Sequence, residues 1–203
     1  YNLKSQIISN YGVNIGNTSL NTIFDESPSY FIWPNSPMSD DDYLSEATNI
    51  GFNFTYNGNV YTQLKASVNG FITFNTAATA VYEDASNGIN GAYSNNPWQF
   101  YESTGSLNVV APFYTDLLLS TYIAGNNSDV NSTIAYKLTG TAPNRIYTVE
   151  WKDCLYGAGG VANFQLKLYE VDNRIEFVFG NIIVLSTSYE GESIVPITGI
   201  NGS

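Results

Sequence analysis

Ile50, Phe52, Phe54 and Tyr56 alternate with Gly51, Asn53 and Thr55. A two-residue apolar period predicts a strand with one face buried. Asn57-Gly58 follows, a pair that favours the tight turn of a β-hairpin. Val60 to Val68 then returns as the second strand. Asn69-Gly70 makes a further turn or bulge, and Phe71 to Phe74 continues the sheet. Asn108 to Leu119 is strongly apolar but contains Pro112. Proline has no N–H for a ladder, so an edge or a bulge is expected there.

The second half repeats the alternation. Ile134, Tyr136 and Leu138 share a face, as do Tyr147, Val149 and Trp151. Phe164, Leu166 and Leu168 face one side, and Gln165, Lys167 and Tyr169 the other. A two-residue turn at Asp172-Asn173 would set Leu168 opposite Phe177 and Leu166 opposite Phe179. Ile182–Leu185 and Ser193–Ile200 read as closing strands. No segment combines a 3.6-residue stripe with helix caps. The pattern predicts an all-β chain, an antiparallel β-sandwich of jelly-roll or Ig-like type, with about 9–10 strands and long loops.

Two stretches break the pattern. Residues 1–49 are irregular, with Pro28, Pro34 and Pro37 and short extended pieces at Gln6-Ile7-Ile8 and Tyr30–Trp33. Residues 75–106 are rich in Asn, Ala, Ser and Gly, too long for a simple connection, and read as an insertion with a short helix near Ala77–Tyr82. No linker or repeat divides the chain, so 1–203 is expected to be a single sandwich.

Composition supports the strand reading and narrows function. The 203 residues include 16 Tyr and 11 Phe, and only 12% are charged. The chain has no His and one Cys. Catalysis by Ser-His-Asp or Cys-His pairs is therefore excluded. So is a His/Cys zinc site, and so is an internal disulfide. The formal charge is −11, with no basic patch to hold nucleic acid. No apolar run approaches the roughly 20 residues of a membrane helix, so membrane insertion is not expected. Between residues 5 and 136, Lys65 is the one cation.

Several residue sets have the chemistry of a site. Asp40, Asp41 and Asp42 with Glu46 offer hard oxygens for Ca²⁺, though without the spacing of an EF-hand; a solvated loop explains them equally. No other cofactor is called for. Trp33, Trp98, Tyr101 and Tyr122 fall in loops or edges, where aromatics stack on sugar rings or cap a core. Glu150, Asp153, Glu170 and Glu176 lie among Arg145, Lys152, Lys167 and Arg174, a pattern suited to cross-strand ion pairs on an exposed face. Asp116, on an apolar strand, needs a hydrogen-bond partner. Cys154 reads as a buried, inert thiol. Five N-x-S/T sequons, at Asn17, Asn53, Asn126, Asn131 and Asn201, are what so Asn-rich a chain gives by chance. Leu3, Gln6, Ile7 and Ile8 form a candidate assembly strand, able to complete a neighbour's sheet edge.

The order of GFNFTYNG (51–58), YTQLKASVNGFITF (61–74), NVVAPFYTDLLL (108–119), IAYKLTGTAPNRIYTVEWKD (134–153) and NFQLKLYEVDNRIEFVFG (163–180) resembles the N-terminal β-sandwich of secreted Bacteroidetes surface proteins. Those proteins commonly carry a C-terminal sorting tail for type IX secretion, which this chain lacks. With its start at Tyr1, the chain reads as a mature fragment or a shortened relative. NGFITF, APFYTD and NFQLKLYE are also similar, more distantly, to the nidogen-type extracellular domain. Neither family supplies a catalytic motif. The resemblance implies an extracellular, secreted, non-catalytic structural or adhesive unit at a cell surface. It would be a filament subunit through terminal strand or edge pairing, or alternatively a carbohydrate-binding module; its partners would be other copies of itself or surface glycans.

Overall fold

The strongest alternation builds the longest pairings. The computed structural model describes residues 14–32, 43–78, 108–119, 131–156, 160–183, 188–189, 192–193 and 197–201. A 3₁₀ turn at Phe24–Glu26 precedes the strands. These are β1 (Ser29–Tyr30), β2 (Thr48–Tyr56), β3 (Asn59–Ala66), β4 (Ile72–Thr73), β5 (Val109–Tyr114), β6 (Leu117–Leu118), β7 (Thr133–Thr139), β8 (Ile146–Tyr156), β9 (Gly160–Tyr169), β10 (Ile175–Ile183), β11 (Ser188–Tyr189), β12 (Glu192–Ser193) and β13 (Ile197–Asn201). One antiparallel sheet has the order β1-β7-β8-β9-β10, with β6 beside β8; the other runs β13-β5-β4-β3-β2, and β11 pairs with β12. The fold is all-β, a sandwich of two sheets, as the alternation predicts.

The inward faces meet in one apolar cluster. Phe54, Leu64, Ile72, Tyr147, Val149, Trp151, Phe164, Leu166 and Leu168 are buried in it. Trp151 stacks on Phe164 with centroids 4.9 Å apart, and Phe113 of the other sheet lies 5.2 Å from the same ring. The sheets do not run along one another at every point. Gly51 of β2 packs on Leu138 and takes a hydrogen bond from Arg145, while Thr55 bonds Asn173. Four residues of strand span about 13 Å, close to the two or three interstrand spacings from β7 to the β9–β10 loop. β2 therefore crosses that end of the facing sheet.

Several local expectations have clear outcomes. Asn57 and Gly58 both take positive φ, 48° and 76°, and close a two-residue turn between Tyr56 and Asn59. Pro112 sits at a bulge, where the β5–β13 register shifts between Ile197 and Gly199 and Thr198 Oγ1 donates to Pro112 O at 2.8 Å. The β9–β10 register is corrected by two residues. Leu168 faces Ile175, Leu166 faces Phe177 and Phe164 faces Phe179. A two-residue slip keeps every side chain on its face, so the apolar pattern does not resist it. The loop widens because Glu170 is pulled into a pair with Arg145, its N–H donating to Arg145 O at 3.0 Å. Asp172 Oδ1 accepts the Arg174 N–H at 3.1 Å, and Asn173 takes a left-handed conformation at φ 56°. The strand read over Ile182–Leu185 is the end of β10, which closes at Ile183. Ala77 and Ala78 lie in a turn at the end of the described segment; the rest of that candidate helix, and residues 79–106 of the insertion, lie outside the described residues.

Candidate functional site

Three constellations of polar groups stand out among the described residues. The first is a corner. The chain leaves β5 in one sheet and enters β6 in the other through Thr115 and Asp116. Asn69 fixes this passage: its carbonyl accepts Thr115 N–H at 3.4 Å and its Oδ1 accepts Leu117 N–H at 3.0 Å. Gly70 N-terminal to Phe71 has φ 76°, and a Cβ there would stand 1.9 Å from Phe113 O. Trp151 Nε1 donates to Ser67 O at 2.8 Å, tying the facing sheet to the same turn. The NGF and APFYTD segments are thus clamped to each other, and their chemistry is architectural. Asp116 is half-buried within this corner.

The second lies at the end of the sandwich crossed by β2. Arg145 and Glu170 flank the end of the β8–β9 pairing, just beyond Ile146 and Tyr169, and form a two-pronged ion pair, with Nε to Oε2 at 2.8 Å and Nη2 to Oε1. Arg145 Nη1 also donates to Gly51 O at 2.6 Å, and its guanidinium lies 5.6 Å from the Phe52 ring centre. Hydrogen bonding to Arg145 holds the Glu170 carboxyl below its ordinary range; the same bond raises Arg145. Asn173 Oδ1 accepts Thr55 N–H at 2.6 Å. Gly51 O and Thr55 N–H are β2 groups that β3 does not use, so this end network caps the outer edge of β2.

The third covers the outer face of the sheet β1-β7-β8-β9-β10. Glu150 and Gln165, directly opposite on β8 and β9, are both buried. The expectation of an exposed face of ion pairs is corrected here. Arg145–Glu170 is such a pair, but Glu150 binds no cation among the described residues. Its Oε1 accepts Thr22 Oγ1–H and its Oε2 accepts both Ile23 N–H and Gln165 Nε2–H, each at 2.7 Å. Gln165 Nε2 also donates to Asn21 O at 2.8 Å. What buries Glu150 is a strap, residues 18–26, laid over the sheet. From its C-terminal end, Glu26 pairs with Lys137 of β7, Thr22 and Ile23 with β8, and Asn21 with β9. Leu20 then fills the space over Gly180, where a Cβ would lie 2.9 Å from Leu20 Cδ1, and Thr18 Oγ1 donates to Glu176 of β10 at 3.4 Å. Sequence reasoning missed this clamp because alternation puts Glu150 on the solvent face. The available signal was its neutral partner Gln165 where a cation was expected.

The remaining titrating groups are inert or local. Cys154 is buried and burial pushes its thiol up, away from the reactive thiolate. Tyr169 donates to Glu176 and lies under the Arg174 guanidinium, 3.8 Å from the ring centre; burial, then the Glu176 bond and charge, push its phenol up to about 12.

Of the residues singled out from sequence, Glu46 is described: it is exposed, and its N–H donates to Ile32 O at 2.6 Å. Asp40, Asp41 and Asp42, the aromatics Trp33, Trp98, Tyr101 and Tyr122, and the strand residues Leu3, Gln6, Ile7 and Ile8 lie outside the described residues. Among the described residues, no three carboxylates or thiols group around a point where a metal would sit, and no helix is long and apolar enough to cross a membrane.

Two antiparallel sheets, a clamped corner and a strapped outer face define an all-β module whose buried polar groups hold its own chain. The chain belongs to the NIDO-related family, nidogen-related in character, whose model matches residues 21–202. No curated protein and no solved structure matches it.

Proposed function

We propose that this chain is an extracellular structural or adhesive module that acts by self-association and has no catalytic role. The observation that carries the reading is the open edge of β10. Among the described residues β10 pairs only with β9, with a register shift between Phe179 and Ile182, and Phe179 and Ile183 on it are 42% and 43% exposed. Such an edge is a template for another strand. Membership of the NIDO-related family supports an extracellular setting. The resemblance of its motif order to secreted Bacteroidetes surface proteins supports export to a cell surface by the type IX route. The buried Glu150 carboxylate and the hydrogen bonds described above hold the fold together, which favours a scaffold over an enzyme.

Light scattering and electron microscopy of the purified chain over a wide concentration range test this. Mass should rise with concentration, with ordered assemblies at the upper end. A strict monomer that instead binds polysaccharides in a titration panel would replace this reading with a carbohydrate-binding module.

A further inference from the structure

We infer that the edge of β10 receives the N-terminal residues 1–13 of a second copy of this chain as an added strand. The inference rests on the self-association proposed above and names its contact.

Four edges are open to consideration. β1 is two residues long, too short for a stable added strand, and β13 has five residues against the nine of β10. β2 has nine residues, but the Arg145 guanidinium and the Asn173 amide occupy Gly51 O and Thr55 N–H. β10 also has nine residues, and among the described residues it pairs only with β9. Its inward face presents Ile175, Phe177 and Phe179, of which Phe179 is exposed.

The strap decides where the donor leaves. Followed backwards it crosses β7, β8 and β9 and reaches β10 at Leu20 and Thr18. Residues 14–19 beyond it are all exposed and make neither turn nor bend, with Ile15 83% exposed. Residues 14–19 therefore leave the strap beside β10. Residues 1–13, fully extended, reach about 40 Å, against about 30 Å for a nine-residue strand. The arm covers a neighbour's whole edge. Its apolar residues Tyr1, Leu3, Ile7, Tyr11 and Val13 fall on odd positions, with Ser5 and Ser9 between them and Ile8 on the other face. It also carries Lys4 and no acid, in a chain of net charge −11.

Cross-linking tests the contact. Cys154, the sole native cysteine, is buried and stays silent. One preparation carries Phe179→Cys; others carry Leu3→Cys, Ser5→Cys, Ile7→Cys or Ser9→Cys, so that register does not decide the outcome. Mixed under mild oxidation, at least one arm variant should link to the edge variant and double the mass on a non-reducing gel. The product should disappear when residues 1–13 of the arm partner are deleted, and Phe179→Lys should abolish association of the otherwise native chain. If mixtures give no linked dimer while an Ile7→Cys/Phe179→Cys chain closes on itself, the arm pairs in its own molecule and the inference is overturned. If nothing links yet light scattering still reports association, the arm–edge contact is wrong and the self-association reading stands. A monomer throughout removes both.

Discussion

Gly70 and Glu170 show the two ways in which single residues of this chain act. Gly70 matters through space. At φ 76° with Phe113 O where a Cβ would sit, the site admits no side chain. Gly70→Ala should cost about 3 kcal/mol or more, because the clash is with backbone and cannot be relieved by a rotamer. A urea melt would show it as a fall in midpoint. Glu170 matters through charge. Its folded pKa lies below the ordinary value of 4.5, so the contribution it makes is full above that value and lost as pH falls through the folded pKa. Glu170→Gln should therefore flatten the acid limb of stability below about pH 4.5 and leave the slope near neutrality unchanged. Melting temperatures of both proteins between neutral pH and the acid limb provide the comparison.

At the scale of elements, the strap is the part that the hydrophobic pattern did not announce. Alternation placed β2, β3, β8 and β9 and chose their inward faces, because a half-buried sheet repeats every two residues whatever covers its back. Asn57-Gly58 was legible for the same local reason, as only a positive-φ pair closes that turn. The β9–β10 register was not, since a two-residue slip leaves the pattern intact and the choice fell to the Arg145–Glu170 pair, a contact at the end of the sandwich. The candidate site was legible only where chemistry is local: the burial of Cys154 followed from its strand, whereas that of Glu150 depends on residues 128 positions away. Glu150→Ala leaves the Thr22 hydroxyl, the Ile23 amide and the Gln165 amide without their acceptor, at a cost of about 3 kcal/mol. That cost should fall on the strap. Limited proteolysis within residues 14–26 should speed up at least about tenfold, while the near-ultraviolet signal of Trp151 and its stacked Phe164 stays close to that of the unaltered chain.

At the scale of the whole molecule, these restraints among the described residues leave the β10 edge without a second strand partner. The corner locks the two sheets together, the end network closes β2, and the strap covers the outer face and reaches β10 at Leu20 and Thr18. Among the described residues, the Glu150 carboxylate, the Asn69 amide oxygen and the Trp151 indole N–H are bonded within the fold, and β10 is a nine-residue strand with a partner on one side. On the proposed contact every copy would be both donor and acceptor, and the assembly would be a closed pair when exchange is mutual and an open row when it is not. Hydrogen–deuterium exchange at the β10 amides tests this account most directly, measured at low and high concentration for the full chain and for residues 14–203. Protection across 175–183 should rise with concentration in the full chain and stay low in the shortened one. Equal exchange of these amides in both proteins at every concentration would contradict it.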